Sequence, residues 1–147
     1  MVDPGAPQPL SAHRSRNVVA RAVGAVFGAI VGHRMTLPPA LLAQYPELAE
    51  AHWRRGGLPL RIGGWCLGRA TVAGFTFGRT IWIAPRARLA PELLLHELRH
   101  VHQFASDRAF PLRYVWRSLR HGYAQNPYEA DARQFAASRV TGSPPTV

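Results

Sequence analysis

The sequence predicts an α+β domain: a small sheet with a hairpin at its edge, one long central helix, and a following helix beside it. Three observations carry this expectation. β-Branched and aromatic residues crowd positions 70–84 and are interrupted by Gly78-Arg79, the composition of two strands joined by a tight turn. Residues 91–106 open with proline and present Leu93, Leu94, Leu95, Leu98, Val101 and Phe104, the wide apolar surface of a mostly buried helix. Residues 126–140 open with Asn-Pro and stop before Gly142, which are helix start and stop signals.

Taken in order, residues 1–16 are polar and proline-rich, and no structure is expected there. Residues 18–32 are apolar apart from Arg21. The uninterrupted stretch 22–32 is too short to span a bilayer. Preceded by Arg14 and Arg16, it resembles a signal-peptide core, but no convincing cleavage site follows. A helix packed on the domain or fraying from it is the reading taken, with a signal peptide or membrane-surface anchor as alternatives. Thr36 before Leu37-Pro38-Pro39 reads as an N-cap for a short helix to Gln44. Residues 47–55 read as a further turn or two, ended by Gly56-Gly57. Leu58, Leu60 and Ile62 alternate with Pro59 and Arg61 like a short edge strand. The hairpin follows, then the long helix, a helix over 111–119, and the last helix. Three regions result: an N-terminal tail and apolar helix (1–34), one folded domain (35–140) and a tail (141–147).

Composition narrows the field without naming a task. All 18 basic residues are arginine, against 8 acidic residues. Together with abundant Ala, Gly and Pro this reads as compositional bias, although so basic a chain can associate weakly with anionic surfaces. Cys66 is the single cysteine, which excludes an intrachain disulfide and a cysteine-based zinc site. It reads as a small apolar filler.

The chemistry lies in His96-Glu97-Leu98-Arg99-His100. Residues four apart on a helix share a face, so both imidazoles can reach one ion. Glu97 lies about 100° round the helix from His96, where its carboxylate can reach a zinc-bound water whose pKa is lowered toward about 7. With 7 histidines and 5 glutamates in 147 residues, chance predicts only about 0.01 such strings. Two histidines and a glutamate in a leucine-rich helix are costly to bury without a partner, and a metal is the simplest one.

Zinc hydrolysis needs a third protein ligand and an open fourth position. In Asn126-Pro127-Tyr128-Glu129-Ala130-Asp131-Ala132-Arg133, Glu129 is preferred, with Asp131 and His121 as rivals. Asn126 with Glu129 three positions on is also a capping-box arrangement that needs no metal.

The strings Leu94-Leu95-His96-Glu97-Leu98-Arg99-His100-Val101-His102-Gln103, Gly122-Tyr123 and Asn126-Pro127-Tyr128-Glu129-x-x-Ala132-Arg133 resemble a bacterial family of small gluzincin-type HExxH metallopeptidases. That family is a domain of unknown function related to the core domain of extracellular contractile injection systems. Residues 76–83 are similar to its edge strand, and the likeness covers residues 37–136. The resemblance implies a zincin-like fold of minimal gluzincin type, with an active-site helix and a following ligand-bearing helix, and Glu129 as third zinc ligand. It also implies a peptide or protein substrate.

Arg133 departs from the pattern, because many gluzincins carry there an aspartate that orients a zinc histidine; Asp131 is the candidate replacement. Tyr123, Tyr128 and His121 are candidate donors to a developing oxyanion, with Tyr123 favoured. Gln103, seven residues after His96, reads as a donor supporting the site. His102 reads as a non-ligand, and His13, His33 and His52 as solvated. Arg113, Arg117 and Arg120 form one helical face, read as a solvated surface over an apolar one.

The expected function is therefore a zinc metallopeptidase in which Glu97 activates the water and an edge strand at 80–83 aligns the peptide. The alternatives are a non-catalytic zinc-binding interaction or assembly domain, or a basic nucleic-acid or lipid-surface binding protein. A cytoplasmic monomer with no specific nucleic-acid partner is expected. Export, or weak membrane association through residues 17–33, is the alternative.

Overall fold

Strong β-formers at 74–83 give the hairpin at the heart of the computed structural model, which describes residues 28, 30–66 and 72–142. Strands β3 (Gly74–Phe77) and β4 (Thr80–Ile83) pair antiparallel, with Phe77 opposite Thr80. Gly78 takes φ 58° at the turn, a conformation that glycine adopts without steric cost. Two further strands complete a mixed four-stranded sheet: β1 (His33–Arg34) and β2 (His52–Arg55), in the order β1-β2-β4-β3. β2 runs parallel to β4 and antiparallel to β1.

Five helices with bounds among the described residues accompany the sheet: α1 (Pro39–Gln44), α2 (Leu58–Cys66), α3 (Pro91–Ser106), α4 (Phe110–His121) and α5 (Pro127–Gly142). The protein is thus α+β, as expected, and α3 has the bounds the sequence gives it. Leu94, Leu95, Leu98 and Val101 of α3 pack with Ile81 and Ile83 of β4 and with Leu48, Trp53 and Ala136. Each such buried aliphatic side chain contributes about 1.5–3 kcal/mol.

Four local expectations are corrected. Residues 47–55 are not helical throughout: a 3-10 turn (Pro46–Glu50) gives way to β2. Trp53 drives this, burying its ring opposite Ile81 and donating its indole N–H to the Leu48 carbonyl at 2.8 Å. Residues 58–62 form the start of α2 instead of a strand. In a strand Leu58, Leu60 and Ile62 would share one face. Instead Leu60 is buried while Leu58 and Ile62 are exposed, as helical rotation requires, and Pro59 is tolerated in a first helical turn. Thr36 does not cap α1; Pro38 holds that position without a side-chain hydrogen bond. Finally, β4 is an interior strand, and the edge beside α3 is β3.

His33 and Arg34, assigned by sequence to the N-terminal segment, join the sheet through β2. The expectations for residues 1–27, for the Cys66 side chain and for the last five residues lie outside the described residues. Among the described residues no helix is long and apolar enough to cross a membrane.

Candidate metal centre

The burial of α3 decides where its polar residues go. With its leucines turned into the core, His96 and His100 emerge on the flank facing α5, and their Nε2 atoms approach to 3.2 Å. Ala132 and Ala136 on α5 are buried, and these small side chains let the two helices pack closely. The first turn of α5 then brings Glu129 to the pair. Its Oε1 lies 3.1 Å from His100 Nε2 and its Oε2 3.2 Å from His96 Nε2.

Among the described residues, His96, His100 and Glu129 are the one group of three or more His, Cys, Asp or Glu whose ligand atoms converge to within 4.8 Å. Bonds of about 2.0–2.1 Å in a tetrahedron put ligand atoms about 3.3 Å apart, close to the separations here. Glu129 Oε2 is buried, has no assigned hydrogen bond among the described residues and lies 3.2 Å from His96 Nε2. A buried carboxylate oxygen without a hydrogen bond beside two imidazole nitrogens is a donor arrangement that fits a cation. The donor set of two imidazoles and one carboxylate suits zinc.

Glu129 is not used as a cap. Asn126 Oδ1 accepts from the Tyr128 N–H at 3.1 Å, but the Asn126 N–H donates to the Tyr123 carbonyl. The capping box is therefore half-formed, and the Glu129 carboxylate is left to the histidines. It also accepts a 2.7 Å hydrogen bond from the Tyr114 hydroxyl on α4. Asn126, fully buried, fastens α4 to α5 by donating to Tyr114 O and Ser118 Oγ.

A second set of contacts fixes His100. Its Nδ1 lies 2.8 Å from Gln103 Oε1; an N–H donated there leaves the Nε2 lone pair for a ligand. Gln103 Nε2 in turn donates to Asp131 Oδ2 at 2.7 Å and to the Tyr128 carbonyl. Arg99 holds Asp131 through both its Nε and its terminal nitrogen. Asp131 therefore stands one step behind Gln103, and Gln103 acts on the histidine as an acceptor where a donor was expected.

Glu97 projects toward β3. Thr76 on β3 donates to Glu97 Oε2 at 2.7 Å, and the carboxylate lies against Gly74, where any Cβ would overlap it. Burial pushes the Glu97 carboxyl above its ordinary value, against the lowering effect of His100 and Thr76. Burial also opposes charge on Glu129, but the imidazoles and Tyr114 hold it below the carboxylate range. Burial would lower His100, yet Glu129 and Glu97 raise it. Burial and the Glu129 carboxylate push the Tyr114 and Tyr123 phenols up, so both remain proton donors.

Two cavities meet at Glu97. One, of about 250 Å³, runs beneath Phe75, Phe104, Phe110 and Val115 to His100 and Glu129. The other, of about 440 Å³, lies between His96, Glu92 and Arg133. Val72, Gly74, Glu97 and Tyr123 border both, so a groove crosses Glu97 beside edge strand β3.

The sequence-derived candidates therefore divide. His96, Glu97, His100, Glu129 and Tyr123 share this groove, while Asp131 and exposed His121 stand outside the converging group. His102 contacts Glu50 at 3.1 Å, and His33 and His52 are exposed. Thr76, Gly74 and Tyr114 were not singled out by sequence. Tyr114 sits in a string that reads first for its arginines, and no spacing rule links a strand threonine to a helix glutamate. The chain matches no protein-family profile, no curated protein and no solved structure.

Proposed function

We propose that this protein is a zinc-dependent metallopeptidase of zincin-like architecture, with His96, His100 and Glu129 holding the metal and Glu97 as general base. The observation that carries the reading is the convergence of the two imidazole Nε2 atoms and the Glu129 carboxylate beside a buried, oriented Glu97. A purely structural zinc site closes its coordination with protein ligands and has no use for a neighbouring carboxylate. When bound, zinc supplies Lewis acidity, polarising a carbonyl and making water a competent nucleophile near neutral pH.

The remaining functions belong to the chain. Glu97 accepts the proton of the attacking water and delivers it to the leaving amine. Thr76 fixes the carboxylate by bonding Oε2, and burial strengthens its affinity for that proton. Tyr123, bordering the groove next to Glu97, donates to the developing oxyanion. β3, the sheet edge along the groove, offers backbone groups to an extended peptide; this role passes to β3 from residues 80–83.

The test is hydrolysis of a proteome-derived peptide library by the zinc-loaded protein and its Glu97→Gln variant. Cleavage by the wild type, abolished in the variant with zinc retained, is expected. Equal cleavage by both, from pure preparations, contradicts the assignment of the base.

A further inference from the structure

Helix α4 has three stripes. Phe110, Tyr114 and Ser118 face α5 and the candidate metal centre: Phe110 packs edge-on against Tyr128, Tyr114 donates to Glu129, and Ser118 accepts from Asn126. Leu112, Val115, Trp116 and Leu119, at the i, i+3, i+4, i+7 spacing of one face, point away from the domain. Leu112 is 78%, Trp116 63% and Leu119 75% exposed. The arginine face at 113, 117 and 120 lies to one side. Arg113 is paired with Asp107 at 2.8 Å and Arg117 lies over the Tyr128 ring. The arginine face is exposed, as the sequence predicts, but the apolar face beside it is turned outward instead of lying beneath it.

The apolar stripe does not stop at α4. Val115 lines the 250 Å³ cavity together with Ile62 of α2 and Phe77 of β3, both strongly exposed. Ile62, Phe77 and Val115 thus form an exposed apolar lip along the cavity, continuous with the outer face of α4.

We propose that this lip docks on an anionic lipid surface, with Leu112, Trp116 and Leu119 entering the headgroup–acyl boundary and the lateral arginines meeting lipid phosphates. The residue types and their arrangement favour this occupant: leucine and tryptophan on one face, arginine at its border, is the pattern of interfacial helices. Residues 107–122 carry four arginines against one aspartate, in a chain of net charge +10, which complements an anionic bilayer. A second copy docked across the same face would bring two arginine stripes together, and like charges oppose that contact. Lipid docking is independent of the metal. That it would set the groove mouth at the bilayer, and so select membrane-proximal chain segments, rests on the peptidase reading.

Flotation of the full chain with vesicles of phosphatidylcholine, with and without phosphatidylglycerol, tests the proposal. Binding is expected only with the anionic lipid, falling as salt is raised. The exposed pair Trp116→Glu and Leu119→Glu should abolish it, and Arg120→Gln should weaken it about fivefold, the effect of about 1 kcal/mol per charge near the surface. Glu97→Gln should bind vesicles as the wild type does, so failure of the peptidase reading is seen separately. Absence of binding overturns the proposal. So does binding that survives the double glutamate variant, which assigns it to another segment such as residues 18–32. Conversion of a dimer to a monomer by that variant also overturns it, since the occupant is then a second copy.

Discussion

Thr76 and Gln103 each contact a residue of the centre, and each has a separable effect. The Thr76 hydroxyl bonds Glu97, the proposed base, and none of the three proposed metal ligands. Thr76→Val should lower kcat about tenfold or more, the scale of a hydrogen bond to a charged group at about 1.5–3 kcal/mol. Zinc content should stay unchanged, and Thr76→Ser should restore activity. Gln103 acts on a proposed ligand instead, holding the Nδ1 side of His100. Gln103→Leu should weaken zinc affinity by about 10–100-fold, measured by competition with a chromogenic chelator, while Gln103→Glu, which keeps an acceptor, should recover most of it. Unaltered affinity in Gln103→Leu would show that the contact does not orient the ligand.

At the scale of elements, the centre depends on how closely α5 approaches α3. Ala132 is fully buried, so Ala132→Leu should destabilise the fold by about 1–3 kcal/mol in denaturant titration. The same change should reduce zinc affinity, because it displaces the turn that carries Glu129. The elements differ in how far sequence revealed them. α3 and the hairpin were legible because each repeats one period over many residues. β2 was not: His52-Trp53-Arg54-Arg55 has one apolar residue, and becomes a strand through the neighbours β1 and β4. α2 is ambiguous in sequence because a five-residue apolar alternation fits either period, and only the burial of Leu60 between exposed Leu58 and Ile62 decides between them. In the site, His96, Glu97 and His100 share one local spacing rule. Glu129 fits a capping box equally well by spacing, and only the position of its carboxylate between the histidines separates the two roles. Thr76, Gly74 and Tyr114 come from elements distant in sequence, and only packing brings them to the groove.

For the molecule as a whole, the sheet edge and the two cavities lie around the His96, His100 and Glu129 group, so the proposed peptidase activity depends on a metal held there, whereas lipid docking does not. The three proposed ligands come from helices joined through α4 and a 3-10 turn at Tyr123–Gln125, and a cation binding them ties α3 to α5. Elemental analysis of the purified, zinc-dialysed protein tests this most directly, comparing wild type with Glu97→Gln and Glu129→Ala. One zinc per chain is predicted in the wild type and in Glu97→Gln, and a loss of most of it in Glu129→Ala. No zinc in the wild type, or full occupancy in Glu129→Ala, would contradict the assignment.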